Sequence, residues 1–205
     1  MSTVSSESRS TTTAELVRFV LHRAHTLGEG YRSNRASAVE AIAVLAQAAG
    51  RPIGSSLQAL KWTIDEAPAG WVSTDGSASR AELAAYAALT LFAVHHRSRK
   101  DTSPHTDAVK FGQAVRQAVD SAANGTGVER RFEQLGAATS WDQLLGRLRS
   151  LIQLLKQDRR SFDYGQLAKD LFDWQFPERR NTVRLRWGRD FYNLPALDTP
   201  NTSDS

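Results

Sequence analysis

The residues best suited to chemistry in this chain are its arginines. There are 21 Arg and 5 Lys against 22 Asp and Glu, a formal net charge of +4 on 205 residues. A guanidinium is a planar fork that meets phosphate or carboxylate oxygens two at a time, so clustered arginines point to a polyanion. The densest run is Arg179-Arg180-Asn-Thr-Val-Arg184-Leu-Arg186-Trp-Gly-Arg189-Asp-Phe-Tyr192, five arginines against Glu178 and Asp190. Arg130-Arg131 adds a second basic pair. His22 and His25 lie three apart, a spacing that can ligate a metal from one helix face. No carboxylate is placed to complete such a site, so neither a metal nor a cofactor is expected. His95 and His96 are adjacent and point about 100° apart on a helix. With Arg97, Arg99 and Lys100 they place positive charge at a helix C-terminus, where the macrodipole favours it; a phosphate contact is the alternative use.

Other chemistries are excluded by what is missing. The chain has no cysteine, which removes disulfides, thiolate zinc sites, iron–sulfur clusters and a cysteine nucleophile. It has no G-x-S-x-G elbow, no H-E-x-x-H and no dinucleotide fingerprint. Asn124-Gly-Thr-Gly127 is too short to cradle phosphates and lacks the Lys of a P-loop. No enzyme is expected.

The elements that must position these residues are helices. Ala and Leu number 49 against 16 Val and Ile, which favours helix over strand. Capping-box pairs occur at Thr12/Glu15, Ser79/Glu82, Thr126/Glu129, Ser140/Gln143 and Asp163/Gln166, each ahead of an apolar pattern of helical period. The fold class is all-α: a two-part helical bundle of about nine helices, near 13–27, 35–49, 55–66, 80–98, 106–122, 127–138, 141–157, 164–175 and 177–193. In 141–157, Trp141, Leu144, Leu145, Leu148, Leu151, Ile152 and Leu155 share one stripe, with Arg147 and Arg149 on opposite flanks. Leu154 falls outside it and is a candidate contact with another element or subunit. In the last helix Val183, Trp187 and Phe191 form the core stripe, flanked by Arg184 and Arg186. Reversing those two, or Arg130 and Arg131, to Glu is expected to leave the chain folded.

Ser98-Arg-Lys-Asp-Thr-Ser-Pro104 is polar and ends in Pro, a candidate boundary. It divides an N-terminal helical part, 11–100, from a C-terminal bundle, 101–194, with tails at 1–10 and 195–205. The least polar stretch, Leu83 to Val94, is 12 residues long. A membrane span needs about 20, so it reads as a buried core helix, and the N-terminus lacks a secretory apolar segment. A cytoplasmic protein that does not engage membranes is expected.

Four ordered blocks carry a family likeness: Glu129-Arg-Arg-Phe-Glu-Gln-Leu135, Leu145-Gly-Arg-Leu-Arg-Ser-Leu-Ile-Gln-Leu-Leu155, Asp163-Tyr-Gly-Gln-Leu-Ala-Lys-Asp-Leu-Phe-Asp-Trp174 and Val183-Arg-Leu-Arg-Trp-Gly-Arg-Asp-Phe-Tyr192. Looser matches are Ser56-Leu-Gln-Ala-Leu-Lys-Trp62 and Leu89-Thr-Leu-Phe-Ala-Val94. Over about residues 15–192 the chain resembles the small subunit of the type I-E CRISPR Cascade complex, the CasB family. The resemblance implies a non-catalytic helical protein, present as two copies beside the other Cascade subunits. It would support the guide RNA and its hybrid with the target DNA strand, and stabilise the R-loop by holding the displaced non-target strand. By position, the resemblance assigns nucleic-acid contacts to Lys61, Arg130, Arg131, Arg149, Arg184 and Arg186. Trp62 stands where the family often carries a second basic residue. Two other readings remain: a helical adaptor or regulator that binds only protein, and a helical enzyme.

Overall fold

The computed structural model describes residues 2–121 and 125–192. Among these are nine α-helices: α1 (Ser2–Arg32), α2 (Ala36–Ala48), α3 (Leu57–Thr63), α4 (Arg80–His96), α5 (Phe111–Ser121), α6 (Gly125–Gly136), α7 (Trp141–Gln157), α8 (Tyr164–Trp174) and α9 (Arg180–Tyr192). Short 3₁₀ turns occupy Ala69–Trp71 and Pro177–Arg179. No strand occurs among the described residues, and the fold is all-α as the composition predicts.

Three of the expected helix starts are made as read. Ser79 and Glu82 form a reciprocal capping box: Glu82 N donates to Ser79 Oγ at 3.2 Å and Ser79 N to Glu82 Oε2 at 2.7 Å. Ser140 accepts from Gln143 N, and Asp163 from Gln166 N. The other two expected caps lie inside helices. Thr12 Oγ1 donates one turn back to Ser8 O at 3.0 Å, so α1 runs through it, into the stretch expected as a tail. Arg9 lies over the Phe176 ring there. Thr126 follows Gly125, where α6 already begins. The helix expected from about 55 is opened by a cap that the three-residue pattern did not name, Ser56, which accepts from Ala59 N.

The fifth helix begins five residues later than expected, because the chain before it has another use for its backbone. Phe162 N donates to Pro104 O, Thr106 N to Phe162 O, and Asp163 N to Val109 O. The segment after Pro104 is thereby laced to the start of α8. The expected C-terminal tail, 195–205, lies outside the described residues.

The middle of the molecule is α4, buried on all sides from Ala84 to His96. Its alanines let α1, α2, α7 and α8 approach closely around it. The buried side chains form one cluster from Leu16 to Phe191. A ladder of rings ties the sequence halves together within that cluster. Phe92 meets Tyr164, Tyr164 stacks on Phe162 at 4.5 Å, Phe162 meets Phe111, and Phe111 meets Trp187. The expected stripes are the observed core faces: Leu144, Leu148, Leu151, Ile152 and Leu155 on α7, and Val183, Trp187 and Phe191 on α9, are buried. Leu154 is partly buried against the same cluster.

Candidate nucleic-acid interface

The six basic residues singled out in the sequence occupy three kinds of place. Arg130 and Arg131 are exposed on α6, where Arg131 donates one turn back to Gly127 O and Arg130 has no ion pair among the described residues. Lys61 is exposed on α3 with its ammonium 5.3 Å from the Trp62 ring centre. Trp62 itself packs against the core. The remaining three hold the fold. Arg149 Nη1 donates to Ala49 O at 2.6 Å, satisfying a carbonyl at the C-terminus of α2. Arg184 Nη2 donates to Ala138 O at 2.7 Å, between α6 and α7.

Arg186 is bound most firmly. It pairs with Asp170, which is 1% exposed and also accepts from Gln166 Nε2 at 2.8 Å and Trp187 Nε1 at 2.7 Å. Burial lifts the Asp170 carboxyl to about 6, against the pull of Arg186. The expectation that Arg186 reverses to Glu without structural cost is therefore corrected: a glutamate there would face Asp170 and Asp173. A helical wheel places Arg186 on a flank but cannot show which buried acid waits on the neighbouring helix.

Three arginines converge on the turn between α6 and α7. Arg147 donates to Gln134 O, Arg184 to Ala138 O, and Arg180 Nη1 to Thr139 O at 3.3 Å. They complement the negative end of the α6 dipole, Arg147 on a carbonyl of its last turn and Arg184 and Arg180 on carbonyls just beyond it. Gln134 lies one turn beyond Arg130, so exposed and anchored cations form a continuous strip. At its other end Arg180 lies 4.3 Å over the Trp174 ring, and Arg80 4.5 Å over Phe176.

Arg80 and Arg180 both line a groove of about 760 Å³ that also takes in Trp71, Trp141, Trp174 and Phe176. Asp75 stands on its rim. Hydrogen bonds from Ser77 and Ser73 hold that carboxyl down to about 2, so it stays ionised and marks a limit of the cationic surface. Arg80 is informative because of where it sits. It is the first residue of α4, where a positive charge opposes the macrodipole. Its placement gains nothing for the helix, whereas a groove of cations over aromatic rings suits a phosphate backbone. Arg80, Arg147 and Arg180 were not among the residues assigned from the sequence. The signal for Arg80 was legible in its position directly behind the Ser79 cap.

The histidines are placed otherwise than as charges. His95 and His96 are fully buried, with His95 Nδ1 3.1 Å from Tyr164 Oη and His96 Nε2 3.4 Å from Gly28 O. Burial, then repulsion from Arg99, pushes His95 down to about 3, so it adds no positive charge to the C-terminus of α4 at neutral pH. His22 and His25 are exposed, and no three His, Asp or Glu side chains gather as a metal site among the described residues. No described helix is long and apolar enough to cross a membrane.

Comparison with known proteins agrees with this architecture. Residues 41–192 match the family described as CRISPR-associated protein Cse2. The crystal structure of CasB from Thermobifida fusca is similar with a TM-score of 0.70 and 33% identity, over 87% of this chain and 98% of that one. CasB from Thermus thermophilus is similar with a TM-score of 0.60 and 25% identity, over 86% and 96%. A second Thermus thermophilus structure, of a CRISPR-associated protein of the Cse2 family, shares the fold with a TM-score of 0.61 and 23% identity, over 86% and 96%. No curated protein matches the chain.

Proposed function

The chain belongs to the CRISPR-associated Cse2 family, and on that premise we propose that it is the non-catalytic small subunit of a type I-E Cascade complex. In this reading it lies beside the other Cascade subunits and a second copy of itself, in the cytoplasm. It supports guide RNA paired with target DNA and steadies the displaced strand of the R-loop. A scaffold that must accept any spacer cannot read bases, so contacts to the phosphate backbone are what it needs. Exchange of a DNA duplex for a hybrid is nearly balanced in energy, so a few such contacts tip it.

The observation that carries the reading is the strip from Arg80 and Arg180 in the groove, through Arg184 and Arg147, to Arg130 and Arg131. Arg149 and Arg186 support it from inside through their ties to α2 and α8, and Lys61 lies on α3 outside it. Exposed Leu57 and Val72 suit contact with a protein neighbour, which a complex subunit and a protein-only adaptor both require. Nucleic acid separates the two.

The test reassembles the complex with Arg80→Glu and Arg130→Glu, both exposed and free of ion pairs among the described residues. Target binding is expected to weaken, with the slope of log K against log salt shallower by about 0.9 for each duplex phosphate that is no longer neutralised. Melting of the isolated variants should move by no more than about 0.5 kcal/mol of stability. Normal target affinity in complexes that retain both variants would refute the strip and favour the adaptor.

A further inference from the structure

At the far end of α4 lies a second concentration of cations, which the strip leaves unused. The 17 residues of α4, at 1.5 Å each, put it about 25 Å from Arg80. Two turns meet there, one following α4 and one following α7. Arg159 pairs with Asp101 and Arg160 with Asp158, each at 2.5 Å. Arg97, Arg99 and Lys156 have no carboxylate partner among the described residues. Asp101 acts on Arg99 only through space, being held by Arg159. The C-terminal dipoles of α4 and α7 supply about half a negative charge each, together too little for three cations.

Arg99 is the unusual member. Its side chain is turned inward and only 8% exposed, with Nη2 donating to Thr102 Oγ1 at 2.6 Å. Nε and Nη1 are buried without an acceptor among the described residues. The strain of the group registers on its neighbours: burial, then Arg97 and Arg99, hold the Lys156 ammonium below the usual lysine range. The preceding residue, Ser98, has a left-handed backbone at φ 66, held by its N–H donating to Tyr31 Oη at 2.9 Å. A buried cation without a counter-ion is strongly unfavourable, and here a strained turn holds it in place.

We propose that Arg97, Arg99 and Lys156 form a phosphate site for a nucleic-acid strand, with Arg99 as a latch that swings out from beneath Thr102 when the phosphate supplies the missing counter-ion. Successive phosphates along a strand can neutralise all three cations, whereas one carboxylate side chain leaves two unpaired. The inference rests on the reading that this chain binds nucleic acid, but it uses none of the residues of the strip.

The test uses the full-length chain, its Arg99→Met and Lys156→Gln variants, and Arg80→Glu as the control for the strip. Thermal melting reads stability, and anisotropy of a labelled mixed-sequence single-stranded oligodeoxynucleotide over a salt series reads binding. Arg99→Met should melt higher than wild type, because an apolar chain replaces an unpartnered buried charge. It should also bind several-fold more weakly, with the salt slope shallower by about 0.7 for one single-strand phosphate left unneutralised. Lys156→Gln should show the same binding loss, and inorganic pyrophosphate should raise the melting temperature of wild type but not of Arg99→Met. A lower melting temperature for Arg99→Met overturns the latch, as does a higher one with oligonucleotide binding unchanged. A rise in the melting temperature of wild type, absent in Arg99→Met, on adding polyglutamate but not on adding the oligonucleotide would assign the site to a protein partner and overturn the phosphate assignment. A wild-type chain that binds no oligonucleotide overturns both this inference and the proposed function. Loss in Arg80→Glu with Arg99→Met unaffected overturns this inference alone.

Discussion

Arg186→Ala removes the cation paired with Asp170 and leaves a buried carboxylate with two neutral donors, Gln166 Nε2 and Trp187 Nε1. Breaking a buried pair from one side costs about 3–5 kcal/mol. The pH dependence makes the reasoning testable beyond that magnitude. In wild type Asp170 is raised from 3.8 to about 6. Between those values the folded state keeps a proton that the unfolded state has released. Stability therefore falls as pH rises through that window, by about 1.4 kcal/mol per unit. Above about 6 both states are ionised and the slope vanishes. Without Arg186 the folded carboxyl is raised further, so the falling limb extends to higher pH. The destabilisation by Arg186→Ala should accordingly be larger at about pH 7 than at about pH 5, by about 1.4 kcal/mol for each unit that the carboxyl is raised within that window. Urea unfolding followed by far-UV circular dichroism at both values measures it. Adding Asp170→Asn, which cannot ionise, should recover much of the loss at neutral pH. A loss below about 1 kcal/mol, the range of surface pairs, or an equal loss at both pH values, would refute the buried pair.

Gly112 sits where α5 crosses α9, and a Cβ there would lie 2.4 Å from Trp187 O and 2.9 Å from Phe191 N. Backbone cannot yield as a side-chain tip does, so Gly112→Ala should cost about 1–3 kcal/mol or more in chemical denaturation. His95, lowered from 6.5 to about 3, favours the neutral form in the fold. Its contribution is fully present above about 6.5 and is lost on acidification towards 3, by about 1.4 kcal/mol per unit. Asp170 opposes it between 3.8 and about 6, so the His95 limb should emerge in an Asp170→Asn background and flatten when His95→Gln is added. Arg149→Ala deletes the bond to Ala49 O and should cost about 1.5 kcal/mol, the range for a hydrogen bond to a charged group. Oligonucleotide affinity of Arg149→Ala should be unchanged, and a clear loss there would return Arg149 to the interface.

Helix order and core faces were legible because they depend on local periodicity. The α7 stripe and the Val183, Trp187 and Phe191 stripe needed only the helical repeat to be read, and the Ser79, Ser140 and Asp163 starts only a three-residue spacing. The failures are non-local. Thr12 and Thr126 have the right neighbours for caps, yet Thr12 lies within a longer helix and Thr126 within one that begins a residue earlier, at Gly125. The 106–110 stretch has helical residues but lends its backbone to Phe162 and Asp163, which are more than 50 positions away, and no window along the sequence contains that partner.

The same distinction governs the arginines. Arg147 and Arg149 are correctly read as opposite flanks of α7, and each flank meets a different helix end: Gln134 O on α6 and Ala49 O on α2. Arg184 and Arg186 divide likewise, between Ala138 O and the buried Asp170. An arginine such as Arg149 or Arg186 can therefore stand in a block that resembles the family and still be spent inside the fold, because its donors are claimed before any ligand arrives. Arg80 shows the converse. It adds nothing to the helix it opens, it faces a groove floored by aromatic rings, and it has no ion pair among the described residues. Arg80 sits against the helix dipole with only the Phe176 ring beneath it, Arg99 is crowded by Arg97 and Lys156, and the two stand at opposite ends of one buried helix.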